Sequence, residues 1–236
     1  ETETGYESRI WQSMVEMGWT GISLPDEVGG AGMGIGSAVP VFEALGGGLL
    51  GTPLLSTTIA GQLIWRAAGE KAADWLGRLC GGQIGTVALL DHADWGVPNT
   101  GLKLDETGSL SGRKHFVADA GVADIFVVVA NENGTPVLAL VERNALASDA
   151  LSENVLIDLT KRAANVDFTG VTPAHVVRGD SVASALRDTL LLGALLTAAE
   201  TTGAAGRCLS SITEYLKTRK QFGKLIGSYQ ALKHPT

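Results

Sequence analysis

Apolar residues in the first third of the chain recur with the 3.6-residue period of helices. Ile10, Trp11, Met14 and Met17 share one face of a first amphipathic helix, which ends at a Gly-Trp-Thr-Gly sequence. A loop rich in Pro, Asp and Gly follows. Three further helices are predicted, at residues 35–46, from Pro53 through Trp65, and at 70–79. This region reads as a helical domain.

From Gly85 the apolar period changes to two, which is typical of strands. An Asn133-Gly134 pair between two β-branched runs predicts a hairpin turn. The predicted strands cover residues 86–90, 102–104, 110–117, 125–130, 137–141, 155–159, 164–168 and 174–177. Many short strands joined by turns indicate a β-barrel or sandwich-like domain that ends near Arg178.

A long helix is predicted from Gly179-Asp180-Ser181, with Asp180 or Ser181 as its cap. Its middle is apolar on all sides, which favours burial in a helical bundle. We predict one apolar seam through Val182, Leu186, Leu190, Ala194, Thr197, Thr201, Ala205, Cys208, Ile212 and Tyr215. The predicted fold is therefore an α+β multidomain protein with a helical domain (1–84), a middle β-barrel domain (85–178) and an incomplete C-terminal helical bundle (179–236).

Composition narrows the partners and the compartment. A net charge of −7 argues against a nucleic-acid partner. Cys80 and Cys208 are far apart and match no metal-binding spacing, so we expect two reduced, packed thiols in a cytoplasmic protein. The most apolar run, residues 189–199, is too short to span a membrane, and the acidic start is not a signal peptide. The polar start and abrupt end suggest the core of something longer.

Candidate chemistry concentrates in residues 219–234, which read RKQFGKLIGSYQALKH. Arg219 and Lys220 lie at the end of the long helix, where a phosphate-bearing ligand could be held. Phe222 offers a ring for stacking, and Gly223 lets backbone approach a ligand closely. The alternative interpretation is a basic helix terminus followed by a solvated loop.

This segment resembles the R-x-Q-F-G-x-x-I-x-x-x-Q signature of the acyl-CoA dehydrogenase flavoprotein family. In that family the loop crosses a dimer interface and binds the pyrophosphate and adenine of the neighbouring subunit's FAD. The resemblance therefore implies that Arg219, Gln221, Phe222 and Gln230 bind FAD. Residues 18–32 resemble the family's N-terminal domain, and residues 111–117 and 158–168 resemble its middle domain.

One glycine pattern is misleading. Residues 46–51 read GGGLLG and fit the dinucleotide pattern G-x-G-x-x-G. That pattern requires a strand before it and a helix directly after it, whereas the preceding segment here is helical. We therefore predict a flexible loop between helices and no Rossmann site.

The resemblance also exposes gaps in the catalytic machinery. The family's base is a Glu, which in most members lies beyond the span of this chain; its alternative position falls near Gly193, and Glu200 is interpreted as structural. Residues 89–97 replace the flavin-contacting motif T-E-P-x-A-G-S-D without its Thr and Ser, and the W-I-T triplet is Phe116-Val117-Ala118. Asp91, His92 and Asp94 could instead form a metal or acid–base cluster; we favour a polar loop and expect no metal.

A chain that keeps the FAD-binding loop but has lost the base resembles the degenerate subunit of bacterial α2β2 acyl-CoA dehydrogenases. The resemblance implies an FAD-dependent complex with a homologous subunit, acting on an acyl-CoA, of which a steroid side-chain thioester is one example. No catalytic residue is assigned to this chain. Two alternatives stay open: a self-sufficient homotetramer with its Glu beyond residue 236, and a flavin-free structural subunit.

Overall fold

The computed structural model describes residues 4–93 and 101–235, so residues 94–97 of the predicted polar loop lie outside the described residues. Contacts divide the chain into two compact units. Unit 1 comprises the residues up to Ala38 together with Gly51–Ala194, and unit 2 comprises Val39–Leu50 together with the residues from Leu195 onward. The division into three domains at residues 85 and 179 stays a prediction.

The predicted order of helical, β and helical segments is confirmed. The described helices are α1 (Ser8–Glu16), α2 (Ala38–Gly48), α3 (Leu54–Ala68), α4 (Ala73–Cys80), α5 (Ser181–Thr218) and α6 (Gln230–Lys233). Short 3₁₀ turns lie at Trp19–Gly21, Asp26–Val28, Ile35–Ser37, Gly69–Ala72, Arg143–Ala145 and Ile226–Ser228. The described strands are β1 (Gly85–Ala88), β2 (Lys103–Leu104), β3 (Leu110–Ser111), β4 (Arg113–Ala118), β5 (Ile125–Glu132), β6 (Thr135–Glu142), β7 (Leu151–Glu153), β8 (Ala163–Asp167), β9 (His175–Val177), β10 (Lys220–Gln221) and β11 (Lys224–Leu225).

The β segment of unit 1 forms two sheets. A six-stranded sheet has the order β3-β2-β5-β6-β9, with β1 paired in parallel to β5, and a three-stranded sheet has the order β4-β8-β7. The hairpin between β5 and β6 turns at Asn133 and Gly134, whose φ angles of 52° and 89° are those of a type I′ turn. The predicted hairpin is therefore confirmed.

The core of unit 1 lies between helices α3 and α4 and one face of the larger sheet. Leu63 and Ile64 of α3 and Leu76 of α4 are completely buried against alternate residues of β5, namely Ile125, Val127 and Val129. Phe126, on the other face of β5, meets Phe168 edge to face at 5.9 Å. Burial on both faces explains why β5 is an unbroken apolar run and not an alternating one.

The strand predicted at residues 155–159 is wrong. Strand β7 ends at Glu153, and the side chains of Val155, Ile157 and Leu159 are 100%, 106% and 71% exposed. Asp158 accepts hydrogen bonds from the Thr160 N–H at 2.9 Å and from its hydroxyl at 2.7 Å. This local turn satisfies the backbone that a strand would have paired, so turn chemistry overrides β propensity.

The loop predicted across residues 46–51 is wrong for Gly46 to Gly48, which are the last turn of α2, whereas residues 49–51 lie between α2 and α3 as predicted. Within unit 2 the backbones of α2 and α5 are in direct contact at this point. A Cβ on Gly46 would collide with the Glu200 carbonyl, and a Cβ on Gly203 would collide with the Glu43 carbonyl. The glycines therefore serve a close helix crossing, and a helix, not a strand, precedes them as expected.

Helix α5 buries a different seam from the predicted one. Leu190 is 48% exposed, and Ile212 and Tyr215 are also exposed. Cys208 is exposed as well, so the prediction of a packed thiol is wrong at that position. Between Val182 and Ala194 the predicted seam advanced in three steps of four residues, which turn it by about 120° around the helix. The buried positions alternate steps of three and four, which keeps them in line, and are Val182, Ala185, Thr189, Leu192, Leu196 and Ala199.

By length and composition alone, α5 could cross a membrane, since it has 38 residues and a mean hydropathy of 1.4 over its most apolar window. Our expectation considered only residues 189–199 and was too narrow. Core helices of water-soluble bundles pass the same test, and α5 carries charged residues such as Asp188 and Arg207. The absence of a membrane partner stays a prediction.

Candidate functional site

The segment Arg219–Gln230, called the arm below, begins directly after α5 and folds as a small hairpin. Strands β10 and β11 pair Gln221 with Lys224, and the Ile226 N–H donates to the Arg219 carbonyl at 2.9 Å to close its base. Phe222 and Gly223 form the turn with φ angles of 54° and 80°. A left-handed conformation at both central residues defines a type I′ turn, which requires glycine-like freedom at residue 223.

The root of the arm is pressed against the end of α5. A Cβ on Gly227 would lie 2.8 Å from the Leu216 carbonyl oxygen, so no larger residue fits without movement. Leu216 is itself only 8% exposed, and the Arg219 N–H donates to the Tyr215 carbonyl at 2.9 Å. The hairpin is therefore a continuation of the helix held at a fixed root within unit 2.

The structure brings three of the four predicted FAD ligands together on this hairpin. Arg219 stands at its base, Gln221 in β10, and Phe222 at its tip, where the ring is 93% exposed. Gln230 lies beyond the 3₁₀ turn and begins α6. All four side chains are exposed. Their role in binding FAD stays a prediction.

The arm is a basic surface on an acidic chain. Residues 217–234 contain five Lys and Arg residues and no carboxylate, although the whole chain has a net charge of −7. Lys217 pairs with Glu214 at 2.7 Å, and both are well exposed, so this ion pair leaves the positive field largely intact. A guanidinium, ammonium groups, amides and an exposed ring are the groups that suit a pyrophosphate and an adenine.

At the position of the family's flavin motif, the structure holds a buried ion pair that the sequence reasoning missed. Lys114 Nζ lies 2.7 Å from Asp91 Oδ1 and donates to the Leu89 carbonyl at 3.0 Å. Asp91 also accepts the N–H groups of Gly101 at 2.7 Å and Leu102 at 3.0 Å. Asp91 is thus occupied in closing its own loop and fastening it to β4.

Burial lowers the pKa of Lys114 below its ordinary value, while the hydrogen bond and the charge of Asp91 oppose that shift. The alternation of β4 was the available signal for this pair, because Lys114 falls on the inward face between the outward Arg113 and His115. A Lys directed into a core requires an anionic partner. Among the described residues, no group of three or more His, Cys, Asp or Glu could hold a metal ion.

The segment Phe116-Val117-Ala118 lacks the hydroxyl of the resembling triplet and has an irregular backbone. Phe116 has a φ of 49°, and the register with β8 shifts between Lys114 and Val117. The Asn165 side chain accepts the Phe116 N–H at 3.2 Å. The Ala118 carbonyl accepts the Thr86 hydroxyl at 2.6 Å. The Phe116 N–H and the Ala118 carbonyl are therefore hydrogen-bonded within the chain, and residue 118 has no side-chain donor.

Two positions were considered for the catalytic base, and both lie at close contacts between elements. Gly193 has no side chain, and a Cβ there would lie 3.3 Å from the Ile59 side chain within unit 1. The carbonyl of Glu200 forms the contact surface for Gly46 within unit 2. Gly193 therefore offers no carboxylate, and the structural role of Glu200 stays a prediction.

Family models match both ends of the chain. The model described as acyl-CoA dehydrogenase, N-terminal domain, matches residues 1–83, and that of the C-terminal domain matches residues 183–236. The chain is 32% identical over 235 residues to acyl-CoA dehydrogenase IpdE2 of Mycolicibacterium smegmatis, covering 99% of this chain and 62% of that relative. It is 32% identical to IpdE2 of Mycobacterium tuberculosis, of which it covers 61%.

Two solved structures share the fold over 99% of this chain. A variant of the steroid ACAD Tcur3481-Tcur3483 has a TM-score of 0.81 at 30% identity, with 64% of that chain covered. The ChsE4-ChsE5 complex from Mycobacterium tuberculosis has a TM-score of 0.80 at 26% identity, also with 64% covered. The chain thus spans somewhat over three fifths of the length of these proteins.

Proposed function

From the premise that the chain belongs to the acyl-CoA dehydrogenase family, we propose that it is a subunit of an FAD-dependent acyl-CoA dehydrogenase complex and completes the FAD site of a partner subunit. In this proposal the chain contributes the arm and no catalytic base. The complex removes hydrogen from Cα and Cβ of an acyl-CoA thioester. FAD, when bound, accepts the hydride from Cβ, while a carboxylate takes the proton from Cα.

The observation that carries the proposal is the outward presentation of the arm. Arg219, Gln221 and Phe222 occupy one hairpin, yet each side chain faces solvent in the single chain. An exposed aromatic ring on a strained left-handed residue is a costly arrangement for a monomer, since it buries no apolar area. This cost is offset when a ligand or a second chain covers the hairpin and buries the ring.

The altered residues between Leu89 and Ala118 support the proposal that the two subunits contribute different parts of the active site. Asp91 is committed to Lys114 and to two backbone amides, and Leu89, Leu90 and Ala118 bring no hydroxyl. Gly193 brings no carboxylate. The proposal places the base and the donors that polarise the thioester on the partner subunit, while this chain supplies cofactor contacts. The self-sufficient homotetramer would instead require a Glu beyond residue 236.

We extend the proposal to partner, substrate and compartment. The partner is a homologous acyl-CoA dehydrogenase subunit in a heterotetramer, and the substrate is a steroid side-chain CoA thioester. Support comes from relatives described as a steroid ACAD and as the ChsE4-ChsE5 complex. The net charge of −7 and two free cysteines support a cytoplasmic location without nucleic-acid partners.

The test is the FAD content of the complex recovered through a tag on this chain. Arg219→Ala should weaken FAD binding about ten- to a hundredfold, because a charge-assisted hydrogen bond to a phosphate is lost. Arg207→Ala is the matched control, since Arg207 is an exposed cation on α5 of the same unit. FAD binding that is unchanged by Arg219→Ala would overturn the proposal in favour of a flavin-free structural subunit.

A further inference from the structure

Lys224 and Tyr229 make a contact within the arm that the signature residues do not account for. The Lys224 ammonium lies 4.2 Å from the centre of the Tyr229 ring, a cation–π geometry. The Tyr229 hydroxyl lies 3.5 Å from the Gln221 carbonyl oxygen, a long and weak hydrogen bond. The ring therefore touches both strands of the hairpin.

Strand pairing places Lys224 on the same face as Gln221. The two residues are direct partners in the register of β10 and β11, and directly opposed side chains in an antiparallel pair point the same way. Successive residues point to opposite faces, so Lys220 lies on the other face. The hairpin thus has one face with Gln221, Lys224 and Tyr229 and a second face with Lys220 and Leu225.

A surface lysine ordinarily samples many rotamers, and ordering it costs free energy when a ligand binds. Lys224 is already held over a ring, and among the described residues no carboxylate forms an ion pair with it. A cation that is held in place without neutralisation is preorganised for an anion. An aromatic ring can support an ammonium while leaving its outward N–H groups available.

We propose that Lys224 is a further ligand of the FAD pyrophosphate and that Tyr229 is the residue that positions it. This inference rests on the proposed function of the arm. The sequence suggested Lys220 as a cation for a phosphate, but the strand register places Lys220 on the face opposite Gln221. The inference therefore assigns the phosphate contact to Lys224 instead, although the two lysines lie only four residues apart and carry the same charge.

The experiment measures the dissociation constant of FAD from the assembled complex by flavin fluorescence after removal and re-addition of the cofactor. Lys224→Met should weaken binding about tenfold, because one charge-assisted contact is lost. Lys220→Met, the matched control, should stay within about twofold, since it removes an equal charge from the opposite face. Thermal unfolding of both variants should match that of the unaltered complex, because both positions are exposed.

The positioning role is tested by two substitutions at residue 229. Tyr229→Phe keeps the ring and should bind FAD within about twofold, whereas Tyr229→Leu removes the cation–π contact and should weaken binding about two- to fivefold. Tyr229→Leu combined with Lys224→Met should be no weaker than Lys224→Met alone, because the ring acts through the lysine. Additive losses, or equal losses for the Phe and Leu variants, would overturn the positioning role.

The outcomes separate this inference from the proposed function. If Arg219→Ala weakens FAD binding while Lys224→Met behaves like Lys220→Met, the assignment of Lys224 is overturned and the proposed function survives. If neither Arg219→Ala nor Lys224→Met changes the affinity, both fall. Loss of affinity with Lys224→Met but not with Lys220→Met supports the assignment.

Discussion

At the scale of single residues, the ion pair between Lys114 and Asp91 has the largest energetic consequence. The two side chains are 0% and 6% exposed, so both charges have been taken out of water. Such a pair contributes little over an apolar replacement of both partners, but removal of one partner leaves an isolated buried charge. Asp91 further binds the N–H groups of Gly101 and Leu102, which ties the ends of its loop to β4.

We therefore expect Lys114→Met to lower the free energy of unfolding by about 3–5 kcal/mol. Arg113→Met, one residue away, should cost under about 1 kcal/mol, because the Arg113–Asp167 pair is solvent-exposed and screened. Urea unfolding followed by circular dichroism measures both. Equal losses for the two variants would show that burial of the Lys114–Asp91 pair has no special weight.

The Lys114→Met variant also tests a pH dependence that we predict for the free energy of unfolding. Burial lowers the pKa of Lys114 in the folded state, so in the alkaline range the unfolded chain binds more protons than the folded chain. Stability from this group therefore rises with pH between the lowered pKa and the ordinary lysine value of about 10.4. The stability difference between the unaltered chain and Lys114→Met should widen across that window, and a flat difference would contradict the lowered pKa.

At the scale of elements, the crossing of α2 and α5 within unit 2 depends on glycine at two positions. Gly46 and Gly203 each contact the backbone of the opposite helix, with no room for a Cβ. Gly48, at the end of α2, has open space where its Cβ would be. The two glycines of α2 thus have different roles. Gly46 allows the α5 backbone to approach, whereas the space around Gly48 would admit a side chain.

Gly46→Ala should destabilise unit 2 by about 1–3 kcal/mol or more, because the helices must separate to admit a methyl group. Gly48→Ala should be neutral or stabilise by up to about 1 kcal/mol, since alanine loses less backbone entropy in a helix. Thermal unfolding of the two variants provides the comparison. The crossing as described is wrong if Gly46→Ala is tolerated as well as Gly48→Ala.

Elements governed by neighbours in sequence were predictable, and elements governed by distant contacts were not. Asn133 and Gly134 fix the β5–β6 hairpin because the turn needs positive φ at both residues. The seam of α5 was misplaced because step size alone does not reveal which face meets other elements. The glycines of α2 read as a loop because the helix they approach lies about 150 residues away in sequence.

At the scale of the whole molecule, the family and the order of its segments were predictable because the signature residues lie close together in sequence. The Lys114–Asp91 and Lys224–Tyr229 contacts were not, since side-chain partners emerge only when strands pair and turns close.

For the proposed complex, we expect this chain purified alone to hold well under one FAD per chain. The chain co-expressed with its partner subunit should hold more. Flavin absorbance per chain measures this.

A homomeric preparation with one FAD per chain and activity on an acyl-CoA would contradict that expectation and favour the self-sufficient homotetramer. An intermediate control is the Arg219→Ala variant of the co-expressed pair, which should fall toward the FAD content of the chain alone. The comparison separates a chain that needs a partner to form the site from a chain that only gains stability from it.

The glycine crossing also sets the reach of the arm. From Gly203 to the end of α5 at Thr218, the helix extends about 22 Å at 1.5 Å per residue. Gly203 fixes the position of α5 along α2, since sliding α5 by one residue would bring the side chain of Thr202 or Ala204 against the Glu43 carbonyl. Such a slip would move the hairpin by about 1.5 Å and turn it by about 100° around the helix axis. The absence of a Cβ at Gly46 and Gly203 thereby helps to fix where α5 places the Phe222 ring.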